Sequence, residues 1–141
     1  MKSQQANVQI ELKTAIEDDG QLEHSTIKQS GNFYHKNNID VLTFKEDMEG
    51  LIIRNMITIQ KDKVSIKRTG SISMNQQFRV NQLTENVYQH PHGNIHMETF
   101  TKDMEYLPDN GLLTVNYIVK LNGQEERKHQ LVLSFTEEVS Q

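Results

Sequence analysis

The segment from Gly111 to Thr136 constrains the fold more than any other part of the chain. Leu113, Val115, Tyr117, Val119 and Leu121 alternate with Thr114, Asn116, Ile118 and Lys120. Asn122-Gly123 follows. Beyond Glu125 and Glu126 the alternation resumes, with Leu131, Leu133 and Phe135 set against Val132 and Ser134. Successive side chains of an extended strand point to opposite faces, so a period of two marks a sheet with one buried face. Asn-Gly supplies the two positive-φ residues that a type I′ turn needs. The pattern predicts a long antiparallel hairpin with its odd-numbered residues on a core.

The same pattern recurs along the chain. Val8, Ile10, Leu12, Thr14 and Ile16 mark a first strand, turned by Glu17-Asp18-Asp19-Gly20. A weaker strand is expected over 21–29, ended by Ser30-Gly31, with Phe33 and Tyr34 opening a short separate segment. Leu42 and Phe44 set one face of 39–46. Leu51, Ile53, Ile57 and Ile59 set the next, and Val64 and Ile66 the one after, with Gly70 permitting a bend or bulge. Ile72, Met74, Phe78 and Val80 follow. Residues 81–86 read as a polar stretch holding Leu83 alone. Val87 and Tyr88 lead into Pro91-His92-Gly93, a turn, since Pro91 lacks the N–H that a central strand uses. Ile95 and Met97 resume the alternation. Turn signals at roughly 8–12-residue intervals fit a sandwich or a barrel. Consecutive long hairpins favour the barrel, because closure removes vulnerable edges. The expected fold is all-β: a single closed antiparallel up-and-down β-barrel, with a β-sandwich as the alternative.

At 141 residues the chain fits one domain over 1–141, with 1–6 a flexible N-terminus. The hydrophobic share of 35% is low, which a barrel tolerates because alternate residues suffice to build its core. A net charge of -4 argues against a nucleic-acid module held by phosphate contacts. Lys61, Lys63, Lys67 and Arg68 form a basic stretch, interrupted by Asp62, that reads as a solvated hairpin surface. The lack of cysteine excludes disulfides, Cys-based zinc sites and thiol chemistry. The polar opening from Met1 to Gln5 has no apolar signal core. Apolar runs such as Leu51-Ile52-Ile53 are too short to span a membrane. A cytoplasmic protein with no membrane or nucleic-acid partner is expected.

Several local patterns carry a family resemblance. They are Ile16-Glu17-Asp18-Asp19-Gly20 after the first strand, and Arg68-Thr69-Gly70 followed by Met74-Asn75-Gln76 and Phe78. Tyr88 with His92-Gly93, and Tyr117 in the last hairpin, complete the set. In this succession, over nearly the whole chain, the sequence resembles the YwiB-like family. These are small bacterial proteins with a lipocalin-like, calycin-type β-barrel. The resemblance implies a closed antiparallel barrel and a bacterial, cytoplasmic setting, and it implies no activity. The chain departs from the family pattern where His90, Pro91 and His92 surround the turn, in place of a threonine and an aromatic residue.

Four side chains are candidates for a ligand site. Arg68 shares parity with Val64 and Ile66, so it faces inward and must be paired or reach water. Glu46 shares parity with Leu42 and Phe44 and is its candidate counter-ion. The pair either closes one barrel end or presents a planar donor fork to an anionic ligand. Tyr88 and Tyr117 either line a cavity or pack as core residues with a polar tip. The spread of Met48, Met56, Met74, Met97 and Met104 suits a flexible apolar pocket, with gap-filling as the plainer role.

His90, His92 and His96 lie close enough in sequence to tempt a metal reading, but Pro91 distorts their strand and His96 has solvent parity. No native metal and no cofactor are expected there. Glu17-Asp18-Asp19 is too short a loop for a calcium cage. Ser71 and Ser73 have no base that sequence can place, so no catalytic residue is assigned. Three functions from different classes follow. The first is binding of a small apolar or anionic molecule in or at the mouth of the barrel. The second is a protein-interaction or homodimerising barrel module, acting through an outer strand or the barrel rim. The third is an enzyme using Arg68, Glu46 and a tyrosine.

Overall fold

In the computed structural model, which describes residues 5–138, ten strands follow one another. They are β1 (Gln5–Asp18), β2 (Gln21–Lys36), β3 (Ile39–Met48), β4 (Leu51–Ile59), β5 (Val64–Gly70), β6 (Met74–Phe78), β7 (Leu83–His90), β8 (Gly93–Leu107), β9 (Leu112–Leu121) and β10 (Arg127–Glu137). A single 3-10 turn over Pro108–Asn110 joins β8 to β9. Paired strands run antiparallel in the order β6-β5-β4-β3-β2-β1-β10-β9-β8-β7. The two outermost strands come back together at Ser73 and Gln89, which exchange backbone hydrogen bonds of 3.0 and 2.7 Å. Thr84 Oγ1 adds a bond of 2.7 Å to the Gln77 carbonyl. The result is an up-and-down barrel, nearly closed, with a loosely bonded seam between β6 and β7.

Turn chemistry sets the register. Asp19-Gly20, Asn37-Asn38 and Glu49-Gly50 each have positive φ at both residues, as a two-residue type I′ turn requires. Asn122-Gly123 does the same, and Gln124 N donates to the Leu121 carbonyl at 2.8 Å. The ladder beyond it resumes at Val119 opposite Arg127, one residue out of step with that turn, so 124–126 contain a bulge.

Alternation then places the core. Leu42, Ile57, Phe78, Leu113, Val115 and Leu133 have essentially no exposure and pack the lumen through its middle. Val119 is buried with them.

The structure corrects three readings of the sequence. First, β2 is one continuous strand of 16 residues, and Gly31 lies within it. A Cβ at Gly31 would run into the Thr43 carbonyl oxygen and sit 2.6 Å from Ile10 Cδ1. The glycine marks a close approach of β2 to β3, not a strand end. Second, β7 begins at Leu83, inside the stretch read only as polar and assigned to no strand. Third, Gln5 and Ala6 belong to β1, which pairs them with Tyr34 and Phe33. The expected flexible terminus fails for those two, and residues 1–4 lie outside the described residues.

The two ends of the barrel differ. At one end lie the turns at 37–38 and 108–111. At the other lie those at 19–20, 49–50, 91–92 and 122–123. Toward this second end β2 stays with β1 as far as Gln21, and β3 stays with β4 as far as Met48. The β2–β3 ladder, however, stops at Gly31 opposite Phe44. The wall therefore forks beyond Gly31. This is the split end.

Candidate functional site

Three inward residues from adjacent strands meet at the split end. Glu46 follows Leu42 and Phe44 along the inner face of β3. Asn55 sits between Ile53 and Ile57 on β4, and Arg68 follows Val64 and Ile66 on β5. Register sets Asn55 directly opposite Arg68. Asn55 Nδ2 donates to Glu46 Oε1 at 2.8 Å, and Arg68 Nη2 donates to the same oxygen at 3.1 Å. The Arg68 and Glu46 side chains keep 20% and 10% of their exposure, so the pair is largely withdrawn from water. Charge-assisted bonds of this kind offset part of that desolvation. Arg68 Nε is buried with no hydrogen-bond partner.

Tyr88 is half-buried and packs against the core from β7. Met74 pairs with Arg68, and the Ser73–Gln89 bridge brings Met74 beside Tyr88 across the seam. Tyr117 lies elsewhere. Its ring meets Phe78 edge-on at 4.7 Å and lies 5.0 Å from His129. Burial pushes its phenol well above the ordinary range. The structure thus joins Arg68 to Glu46, sets Tyr88 across the seam, and packs Tyr117 in the core.

Outside this cluster, where β2 and β3 part, the wall holds a groove of about 470 Å³. Gln29 to Asn32 form one lip. Thr43 and Lys45 of β3, Arg54 and Met56 of β4, and Lys67 and Thr69 of β5 line the rest, together with Asn55. Lys45 stands directly opposite Arg54, and Lys67 opposite Met56. No carboxylate lies within ion-pair distance of these three cations among the described residues. Lys28, on the neighbouring strand, is held by Glu11 at 3.6 Å. The basic stretch of the sequence is thereby divided: Lys61 and Lys63 stay in the β4–β5 connection, Lys67 enters the groove, and Arg68 turns inward.

The histidines are not gathered into one set. His92 N donates to His90 Nδ1 at 3.1 Å, while His96 points out and stands 4.0 Å from Glu85. Its neighbours in ligand geometry are Glu85 and Glu98, their candidate atoms all within 4.8 Å of one another. Lys120 stands opposite Glu98 in the β8–β9 ladder.

Sequence reasoning missed two groups. Asn55 was legible as the polar break between Ile53 and Ile57. The other is at the opposite end, where Asp40 is buried. Tyr106 OH donates to Asp40 Oδ2 at 2.6 Å, and His35 Nδ1 bonds Asp40 Oδ1. Burial and the Asp40 carboxylate push the Tyr106 phenol far up. This tie runs from β3 across the lumen to β8. No helix among the described residues is long and apolar enough to cross a membrane.

Fold and site together define a small, all-antiparallel β-barrel with a packed lumen, tied at one end and split at the other. The chain belongs to the family described as a domain of unknown function, DUF1934, whose model matches residues 10–133. It is 24% identical over 134 residues to the "Uncharacterized beta-barrel protein YwiB" of Bacillus subtilis (strain 168), covering 94% of each chain. The crystal structure of the ywiB protein from Bacillus subtilis has the same fold. It matches with a TM-score of 0.84 at 21% identity over 97% of this chain and 95% of that one.

Proposed function

We propose that this barrel is a non-enzymatic binding protein that takes a small molecule at its split end, working in the bacterial cytoplasm. The observation that carries this reading is the forked groove backed by the Glu46–Asn55–Arg68 cluster. About 470 Å³ is within the range of small-ligand sites. Side chains fill the middle of the lumen, so the ligand sits in the forked wall outside it and is polar rather than an apolar guest inside. In this reading a calycin-type likeness would lie in the up-and-down strand order and not in an open cup. Arg68 and Glu46 then back the groove from the inner face through Asn55, which lines it, while Tyr88 stays at the seam beside Met74 and Tyr117 serves the core.

Native mass spectrometry of the protein as expressed tests it. The expected result is an adduct on the wild type that disappears in the double variant Glu46→Gln/Arg68→Met, which removes both charges together. A wild type carrying no adduct, and showing no thermal shift with polar metabolite-sized compounds, would overturn the proposal.

A homodimeric interaction module is the second reading. An outward row of Leu83, Phe100 and Ile118, in register across β7, β8 and β9, favours it. Leu83 is 57% exposed. Sedimentation of wild type against Leu83→Lys decides it: a dimer lost on substitution supports this reading, and a monomer in both removes it.

A further inference from the structure

Lys45, Arg54 and Lys67 occupy one outward face of three adjacent strands in a chain whose net charge is -4. Like charges directly opposite each other across a ladder are destabilising. Lys45 and Arg54 stand in that relation with no acid between them. Asp47, the next outward residue on β3, is turned to the Gly50 N–H, which it accepts at 2.9 Å. Hydroxyl donors Thr43 and Thr69 flank the cations in the same groove. Three cations rooted on neighbouring strands span about 10 Å of sheet, two strand spacings. One small anion reaches across part of that distance, whereas a molecule with two anionic groups engages all three.

Resting on the binding reading above, we infer that the groove ligand is a small molecule bearing two anionic groups, phosphate or carboxylate, held by Lys45, Arg54 and Lys67. Arg54 is the central contact, since it lies between the other two strands' cations and offers a planar donor fork. The ligand supplies the negative charge that the fold leaves out of this face. Binding therefore weakens as salt rises. Removing one cation relieves repulsion in the free protein while weakening the complex, a pairing of effects that a merely structural residue does not produce.

The test is an NMR titration of the whole chain with inorganic diphosphate and, separately, with succinate. Wild type is compared with Lys45→Gln, Arg54→Gln, Lys67→Gln and Lys61→Gln, the last a loop cation outside the groove. The expected result is saturable amide shifts confined to residues around Thr43, Lys45, Arg54 and Lys67. Affinity should fall at least tenfold in Arg54→Gln and change less than twofold in Lys61→Gln. The free Arg54→Gln protein should melt no lower than wild type. Whichever titrant binds more tightly identifies the anionic group. Shifts scattered over the surface, or an equal loss in Lys61→Gln, would overturn the inference. So would an uncharged adduct displaced by neither titrant, which leaves the binding reading standing. If no adduct is found and neither titrant perturbs the groove, both fall together.

Discussion

Each end of the barrel buries a carboxylate from β3, and the two are held in different ways. At the tied end, Asp40 takes a hydrogen bond from Tyr106 on β8, on the far side of the lumen, and one from its cross-strand neighbour His35. At the split end, Glu46 takes its bonds from Asn55 and Arg68, which lie on the next two strands of the same wall. A bond across the lumen draws opposite walls together. Bonds along one wall stiffen that wall and leave the mouth free. The fork between β2 and β3 opens at the end where the described residues form no side-chain bond across the lumen.

The largest expected effect separates the charges at the split end. Glu46→Ala strands Arg68 and Asn55 and should cost about 2–4 kcal/mol, below the fully buried value because Arg68 keeps some exposure. Glu46→Gln/Arg68→Met removes both charges and should cost about 1 kcal/mol or less. Urea midpoints measure both. If the double variant is as unstable as the single one, Glu46 is needed for something other than neutralising Arg68.

Asp40→Ala should cost about 1–2 kcal/mol, because the partly buried Tyr106 phenol loses its acceptor. Its effect is regional. Hydrogen exchange should speed up around Lys36 and Leu107 and stay unchanged around Lys45 and Arg54. Equal loosening at the groove would mean that the two ends form one cooperative unit, and the contrast between them would fail.

Gly31→Ala tests the fork itself. The added methyl must displace the Thr43 carbonyl or the Ile10 side chain, and overpacking of this kind costs about 1–2 kcal/mol. It should also shift the amides of Thr43 and Lys45 and weaken anion binding. Retained affinity with unchanged shifts would show that the groove does not depend on the close approach at Gly31.

Parity explains which parts of this were legible in the sequence. The Glu46–Arg68 pair follows from two residues sharing the inner faces of nearby strands. Asp40 shares that same parity with Leu42 and Phe44, so its inward position was equally legible. Its partner was not, because parity assigns a face and does not say what lies across the lumen, and Tyr106 is 66 residues away. Half of the groove was within reach. The Glu49-Gly50 turn fixes Met48 opposite Leu51, and hence Lys45 opposite Arg54. The fork was out of reach, since a glycine within a strand gives the same local signal as one that ends it.

The smallest expected effect concerns a histidine near the split end. His129 faces inward on β10, opposite Ile16 on β1 and Tyr117 on β9, with Arg127 two residues before it. Burial, aided by the Arg127 charge, pulls its pKa down from 6.5 to about 4. The folded protein therefore favours the neutral ring, while the unfolded chain takes up a proton at the ordinary value. Between pH 6.5 and about 4 the unfolded state binds more protons, so stability falls as the pH drops through this window and the effect levels off below it. The ring is only partly buried, which keeps the change modest. His129→Gln should flatten this limb of the stability curve while leaving the curve above neutrality unmoved. Midpoints measured from pH 7 to pH 4 compare the two proteins. A limb equally steep in the variant would show that the His129 ring is not what makes the fold acid-sensitive, and the loss would then not belong to this part of the split end.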